Sequence, residues 1–157
     1  MAEKAVEHRL IAANKRARFE YLILEELECG VALTGTEVKS LRSGRCSIAE
    51  AWGQIRGSEL WLVGSNIPEY AQGNVHNHPP ARDRKLLAKR RQIDAWHAQV
   101  KEKGTTLIPL SIYFQGSRVK VKMALCKGKK LHDKRDDKRE KDDKREMDRA
   151  MSSKRRG

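Results

Sequence analysis

Between Ile108 and Leu125 the chain alternates apolar and polar residues in two runs separated by a turn, and this pattern narrows the possible folds more than any other. Ile108, Leu110, Ile112 and Phe114 recur at every second position, Gln115-Gly116-Ser117 break the run, and Val119, Val121, Met123 and Leu125 resume it. A period of two puts alternate side chains on one face of a strand. The segment therefore reads as an antiparallel hairpin with one buried face. The off-phase residues of its second strand are Arg118, Lys120, Lys122 and Ala124, so the other face is basic. It is either a solvated face or a sheet surface that holds phosphates.

Other segments read as strands that could complete a sheet. Phe19 to Leu33 is dense in strand formers, with Gly30 marking a bend or bulge. Ala51 to Arg56 and Glu59 to Val63 face each other across Gly57-Ser58, a two-residue hairpin turn. Thr34-Gly35-Thr36-Glu37 has capping-box spacing and predicts a short helix presenting Val38 and Leu41, ended by Ser43-Gly44. Gly64 to Arg82, with Pro68, Pro79 and Pro80, reads as one long loop. Asp83 is placed to cap a helix starting at Arg84-Lys85-Leu86-Leu87, with Leu86, Ile93, Trp96 and Val100 near one face and Gly104 as its stop. Five or six antiparallel strands in about 110 residues favour a small closed barrel, because closure removes the sheet edges. Trp52, Trp61, Phe19, Tyr21, Tyr113 and Phe114 fall on strand patterns and are expected in the core. That argues against a single-strand binder with stacking platforms and favours recognition of RNA shape and phosphates.

The last 31 residues, Lys127 to Gly157, are of another kind. They carry 14 Lys or Arg against 8 Asp or Glu, a net of +6 out of +13 for the chain, and their only apolar side chains are Leu131, Met147, Ala150 and Met151. Such a segment buries too little to offset its ordering entropy and is expected to stay disordered outside the core. Its acids and bases are interleaved, however. Asp137 to Lys141 and Glu140 to Lys144 are acid-first i,i+4 pairs, each stabilising a helix by about 0.2–0.5 kcal/mol. With no apolar seam, the helix should form on contact with a polyanion rather than alone. The remaining 126 residues keep a net of +7, so body and tail share the basicity, and a nucleic-acid partner is the first expectation.

The chain thus divides into a basic N-terminal arm (1–17), an RNA-binding β domain (18–126) with a helical insertion near 83–103, and a charged tail (127–157). No run of 18 apolar residues exists and the first residues lack a signal-peptide core, so nothing is expected to span a bilayer. An acidic membrane surface is the second partner such basicity could meet; nucleic acid, with no membrane, is the expectation adopted. Cys29, Cys46 and Cys126 are odd in number and widely spaced, which fits packed thiols in a reducing cytoplasm. His76-Asn77-His78 invites a metal or nuclease reading, but no further ligands lie at suitable spacing, and a loop held by turn hydrogen bonds is the plainer account. No catalytic grouping or phosphate-binding glycine loop is present, so the sequence makes no case for an enzyme or a cofactor.

Several runs together resemble the small protein B family, the SsrA-binding proteins of bacteria. They are Asn14-Lys15-Arg16-Ala17-Arg18, Leu33 to Ser40, Arg82 to Leu87, and Lys127-Gly128-Lys129-Lys130 followed by Asp133-Lys134-Arg135. Gly73-Asn74 with Asn77-His78 and Pro80 adds to them, and the likeness spans about residues 10–151. The resemblance implies a six-stranded closed barrel of oligonucleotide-binding type with embedded helices. It implies binding to the tRNA-like domain of transfer-messenger RNA, promotion of its aminoacylation, and entry with elongation factor Tu into a stalled ribosome. There the tail would occupy the empty mRNA channel as a helix; about 20 residues would reach about 30 Å. The family's RNA contacts fall on Glu28, Leu87 and Lys120, with Tyr21, Lys39 and Lys85 as secondary candidates. Glu28 cannot hold a phosphate and would accept hydrogen bonds from bases or ribose. The decoding-centre positions fall on Gly128, Lys129, Lys130, His132, Asp133, Lys134 and Arg135, facing small-subunit ribosomal RNA. Ala150-Met151 stands where the family often has a larger apolar residue before Met, with Met151 near the tail tip.

Overall fold

The computed structural model describes residues 8–72, 77–102 and 104–128. Seven antiparallel strands form one sheet: β1 (His8–Ala13), β2 (Tyr21–Val31), β3 (Trp52–Arg56), β4 (Glu59–Val63), β5 (Arg84–Leu87), β6 (Thr105–Gln115) and β7 (Arg118–Gly128). Six of them pair in a ring, β6-β3-β4-β5-β2-β7, closed by the β6–β7 hairpin. β6 makes the closure possible by dividing one edge between two partners. Its Leu107 pairs with Gly53 of β3, and its Ser111–Gln115 stretch pairs with β1. The contact with β3 needs a glycine: a Cβ on Gly53 would lie 2.8 Å from Leu107 Cβ and from Met123 Cε.

The alternation of the closing hairpin is realised in β7, and in β6 from Ile112 on. A register shift between Pro109 and Ser111 turns Ile108 and Leu110 to the other face, against Ala124 and Cys126. The expected single apolar face of β6 is thus divided, and Leu107 takes their place in the main core. Leu107, Ile112, Phe114, Val119, Val121, Met123 and Leu125 are buried, and they meet Cys29, Leu60, Leu62 and Leu86 in one core. The β3–β4 hairpin turns at Gly57, whose φ of +62° suits the turn. Helix α2 (Gly35–Arg42, numbered after the single turn α1, Ala17–Glu20) starts in the capping box of Thr34 and Glu37 and buries Leu41.

Five further expectations change. The first concerns the arm over 1–17: its residues 8–13 are strand β1, with Ile11 and Ala12 packed on the core, a pairing too short to show as a period. The second concerns Arg84–Leu87, which is β5 and not a helix start. The segment sits between β4 and β2, and cross-strand pairing overrides its helical propensity. Asp83 caps nothing and pairs with Arg56 at 2.8 Å; the helix α3 begins later (Arg90–Lys101) and buries Ile93 and Trp96. Third, the irregularity in β2 falls at Leu24, between Ile23 and Glu25, while Gly30 stays in register. Fourth, Phe19 and Trp52 are 44% exposed; Trp52 lies over Gly64 on the outer side of β3. Fifth, the body extends to Gly128, since Lys127 and Gly128 pair with Leu22 and Tyr21. The expectations for Lys129, Lys130, His132, Asp133, Lys134, Arg135 and Met151, and for the conformation of the tail, fall outside the described residues.

Candidate nucleic-acid interface

Residues directly opposite one another on antiparallel strands project from the same face. One such row crosses four strands: Leu87 of β5, Gly30 of β2, Lys120 of β7 and Tyr113 of β6. Val121 and Cys29, one residue along, are buried, so the row faces out of the ring. Gly30 lets Leu87 lie close to β2, since a Cβ there would be 3.3 Å from Leu87 Cβ. Leu87 is 52% exposed, unusual for a leucine in the middle of a sheet. Glu28 and Lys122 form the next opposed pair on the same face. Lys122 Nζ turns to Glu26 Oε2 at 3.7 Å, whereas Glu28 Oε2 accepts the hydrogen bond of the Tyr113 hydroxyl. Glu28, Leu87 and Lys120, distant in sequence, are thus brought together.

The secondary candidates scatter. Lys85 shares the outer side of β5 with Leu87, but its Nζ is 3.2 Å from Glu59 Oε1. Lys39 is on α2, with its Nζ 5.8 Å from the Tyr70 ring centroid. Tyr21 begins β2 opposite Gly128, nine residues before Gly30, beside the small second core of Ala17, Ile108, Leu110, Ala124 and Cys126. Gly128 ends β7.

A buried acid–base cluster holds β5 in place. Arg84 and Glu37 are both fully buried and paired. Arg84 also donates to Ser65 Oγ (2.9 Å), the Arg82 carbonyl (2.9 Å) and the Pro80 carbonyl (3.1 Å), and Arg82 reaches Glu37 at 2.6 Å. Burial alone would raise the Glu37 pKa; the hydrogen bonds from Arg82, the Thr34 backbone and Arg84 outweigh it and hold the carboxyl below its ordinary value. Sequence alone assigns Glu37 a capping role and Arg84 a place at the start of an expected helix. Nothing local marks their pairing: Arg84 and Leu86 share the buried side of β5, but Arg84-Lys85-Leu86-Leu87 shows no alternation of polar and apolar residues.

The His76-Asn77-His78 run can be followed from Asn77. The Asn77 amide bridges the Tyr70 backbone, and buried His78 lies 2.9 Å from Thr36 Oγ1 and 2.8 Å from the Ile67 carbonyl. The loop is held by hydrogen bonds, as the plainer reading expects, but they are longer-range ties across the loop and to α2 rather than turn bonds; His76 lies outside the described residues. Among the described residues no group of three or more His, Cys, Asp or Glu could hold a metal ion. Burial pushes the Cys29 thiol up to about 12 and those of Cys46 and Cys126 to about 11, as packed thiols should behave.

A ring of six strands with a mixed basic, acidic and apolar outer row defines a small β protein built to bind by its surface. Residues 11–153 match the family described as SmpB protein, and the chain belongs to that family. It is 53% identical over 144 residues to the SsrA-binding protein of Rhizorhabdus wittichii, covering 91% of this chain and 90% of that one. It is 50% identical over 153 residues to the SsrA-binding protein of Rhodopseudomonas palustris, covering 97% and 96%. It is also similar to a solved chain from "tmRNA-SmpB: a journey to the center of the bacterial ribosome". That chain is 40% identical with a TM-score of 0.62, over 82% of this chain and 87% of the other. Among the described residues no helix is long and apolar enough to cross a membrane.

Proposed function

We propose that this protein is a non-enzymatic adaptor that binds SsrA RNA, the transfer-messenger RNA, and accompanies it into stalled ribosomes for trans-translation. The names of its relatives and the solved SmpB complex support this reading. The ring of six strands is read as a closed barrel of oligonucleotide-binding type. The tRNA-like domain would lie on the outer row, with Lys120 meeting a phosphate, Leu87 packing on a ribose or base, and Glu28 accepting a hydrogen bond. The tail from Lys129 would probe small-subunit ribosomal RNA and the empty mRNA channel. Elongation factor Tu would join through the RNA, and the setting would be the cytoplasm.

The observation that carries the assignment of the RNA face is the convergence of Glu28, Leu87 and Lys120 on one outer surface from three strands. A fixed acid beside a basic strand suits an RNA read by more than its charge. Binding to the tRNA-like domain as a function of salt tests it. Each neutralised phosphate contributes about 0.9 to the log–log slope on duplex nucleic acid. Lys120→Ala should lower the slope by about one unit; Glu28→Ala should weaken binding with little change in slope. Equal losses on an unrelated structured RNA would instead indicate a general RNA chaperone.

A further inference from the structure

Glu28 has Lys122 directly opposite and Lys120 on the neighbouring pair, yet it forms no ion pair with either. Among the described residues its side-chain partner is the Tyr113 hydroxyl, which bonds Oε2 and leaves Oε1 without a partner. Tyr113 is well placed to hold that oxygen still. It is 8% exposed, and its ring stacks on His8 of β1 with centroids 5.7 Å apart. Ile112 and Phe114 on either side of it point into the core, so the backbone of β6 fixes where the phenol emerges. An exposed glutamate alone has three side-chain torsions to order when a ligand arrives. Here the hydroxyl of Tyr113 restrains them beforehand.

We propose that Tyr113 is a positioning residue of the RNA face: its phenol holds one oxygen of Glu28 and presents the other as a fixed acceptor for a hydrogen-bond donor on RNA. The proposal rests on the reading of Glu28 as an RNA contact. The donor is a ribose 2′-hydroxyl or a base N–H, because a carboxylate oxygen repels phosphate and two lysines already supply the positive charge nearby. Burial together with the Glu28 hydrogen bond and charge raises the Tyr113 pKa, so the phenol stays a donor at all physiological pH values.

Tyr113→Phe keeps the buried ring and the contact with His8 and deletes only the hydroxyl. Binding of the full chain to a tRNA-like-domain RNA is measured across a range of salt for wild type, Tyr113→Phe, Glu28→Ala and the double variant. Tyr113→Phe should bind about 5–10-fold more weakly, the scale of ordering one rotamer-rich side chain on binding. Its salt slope and its thermal midpoint, to within about 3 °C, should match wild type. In the Glu28→Ala background the same change should alter binding by less than about twofold, since the oxygen it positions is gone. A merely structural tyrosine would weaken binding equally in both backgrounds, and that result would overturn the proposal. Wild-type binding by Tyr113→Phe alongside weakened Glu28→Ala would also overturn it, while leaving Glu28 as an RNA contact. Wild-type binding by both would overturn the reading of Glu28 as well. RNAs carrying single 2′-deoxy substitutions identify the donor: a penalty that shrinks in Tyr113→Phe assigns it to that ribose, and unchanged penalties assign it to a base edge.

Discussion

Arg84→Ala should come close to unfolding the protein, although Arg84 lies outside the proposed RNA contacts. Its guanidinium sits fully buried against an equally buried Glu37 and satisfies Ser65 and the carbonyls of Pro80 and Arg82. Removing one partner of a buried pair costs about 3–5 kcal/mol, because the other charge is left without compensation. Arg82 stays 2.6 Å from Glu37, which keeps the electrostatic part near the low end. Each buried acceptor orphaned by the loss adds about 1 kcal/mol. With three such acceptors the sum is about 6 kcal/mol, against a total of about 5–15 kcal/mol for an ordinary domain. With a urea slope of about 2 kcal/mol/M, the midpoint should fall by roughly 3 M at unchanged slope. Arg84→Lys keeps the charge but loses the fork that reaches several acceptors, and should fall about half as far. It also remains measurable if the alanine variant does not fold. A loss below about 1 kcal/mol in Arg84→Ala would refute the argument that this pair locks β5 to α2.

The same cluster predicts an acid-labile contribution. The Glu37 pKa is lower in the folded state, so its stabilisation is fully present above the unfolded value of about 4.3 and is lost as pH falls through the folded value. Urea midpoints of Glu37→Gln should therefore change less between pH 5 and pH 3 than those of wild type. Gly53→Ala would force a Cβ to 2.8 Å from Leu107 and Met123 and should cost about 1–3 kcal/mol by thermal unfolding, whereas Gly57→Ala meets no neighbour and is penalised only for its positive φ. Thr34→Ala removes the acceptor for the Glu37 N–H and should cost about 1 kcal/mol.

The parts of the fold legible in the sequence were those whose local pattern and tertiary role agree. The β6–β7 hairpin, the capping box at Thr34 and the turn at Gly57 each declare themselves within a few residues, and each stands where expected, except that the shift at Pro109–Ser111 turns Ile108 and Leu110 to the opposite face of β6. The failures share a cause. Arg84-Lys85-Leu86-Leu87 has helical propensity but lies between two strands that supply its hydrogen bonds, and four residues are too few for a period to contradict propensity. His8–Ala13 is a strand only because the β1 edge of β6 is open beyond Ser111. The same limit applies to the RNA face. Glu28 looks like any solvated strand acid, and its isolation from the nearby lysines is a fact of register. Tyr113 looks like core because it is flanked by core. Its phase, opposite to Ile112 and Phe114, could have placed it on the outside, but nothing local ties it to a residue 85 positions earlier.

The tail prediction follows from where the described body stops. β7 keeps its pairing with β2 through Gly128, so a truncation after Gly128 leaves every described strand intact. That variant should retain a cooperative unfolding transition and wild-type binding to the tRNA-like domain, because the proposed contacts all lie at or before Lys120. It should fail to support peptide tagging on stalled ribosomes if the charged segment does the probing. Pro at Glu140 offers a finer cut. It would cost about 3 kcal/mol within a helix while changing the net charge by only one. Loss of tagging with RNA binding intact would assign the tail's work to a helix formed on the ribosome. Tagging at the wild-type level in that variant would leave the segment as a basic tether, and the acid–base pairing at 137–144 would need another explanation.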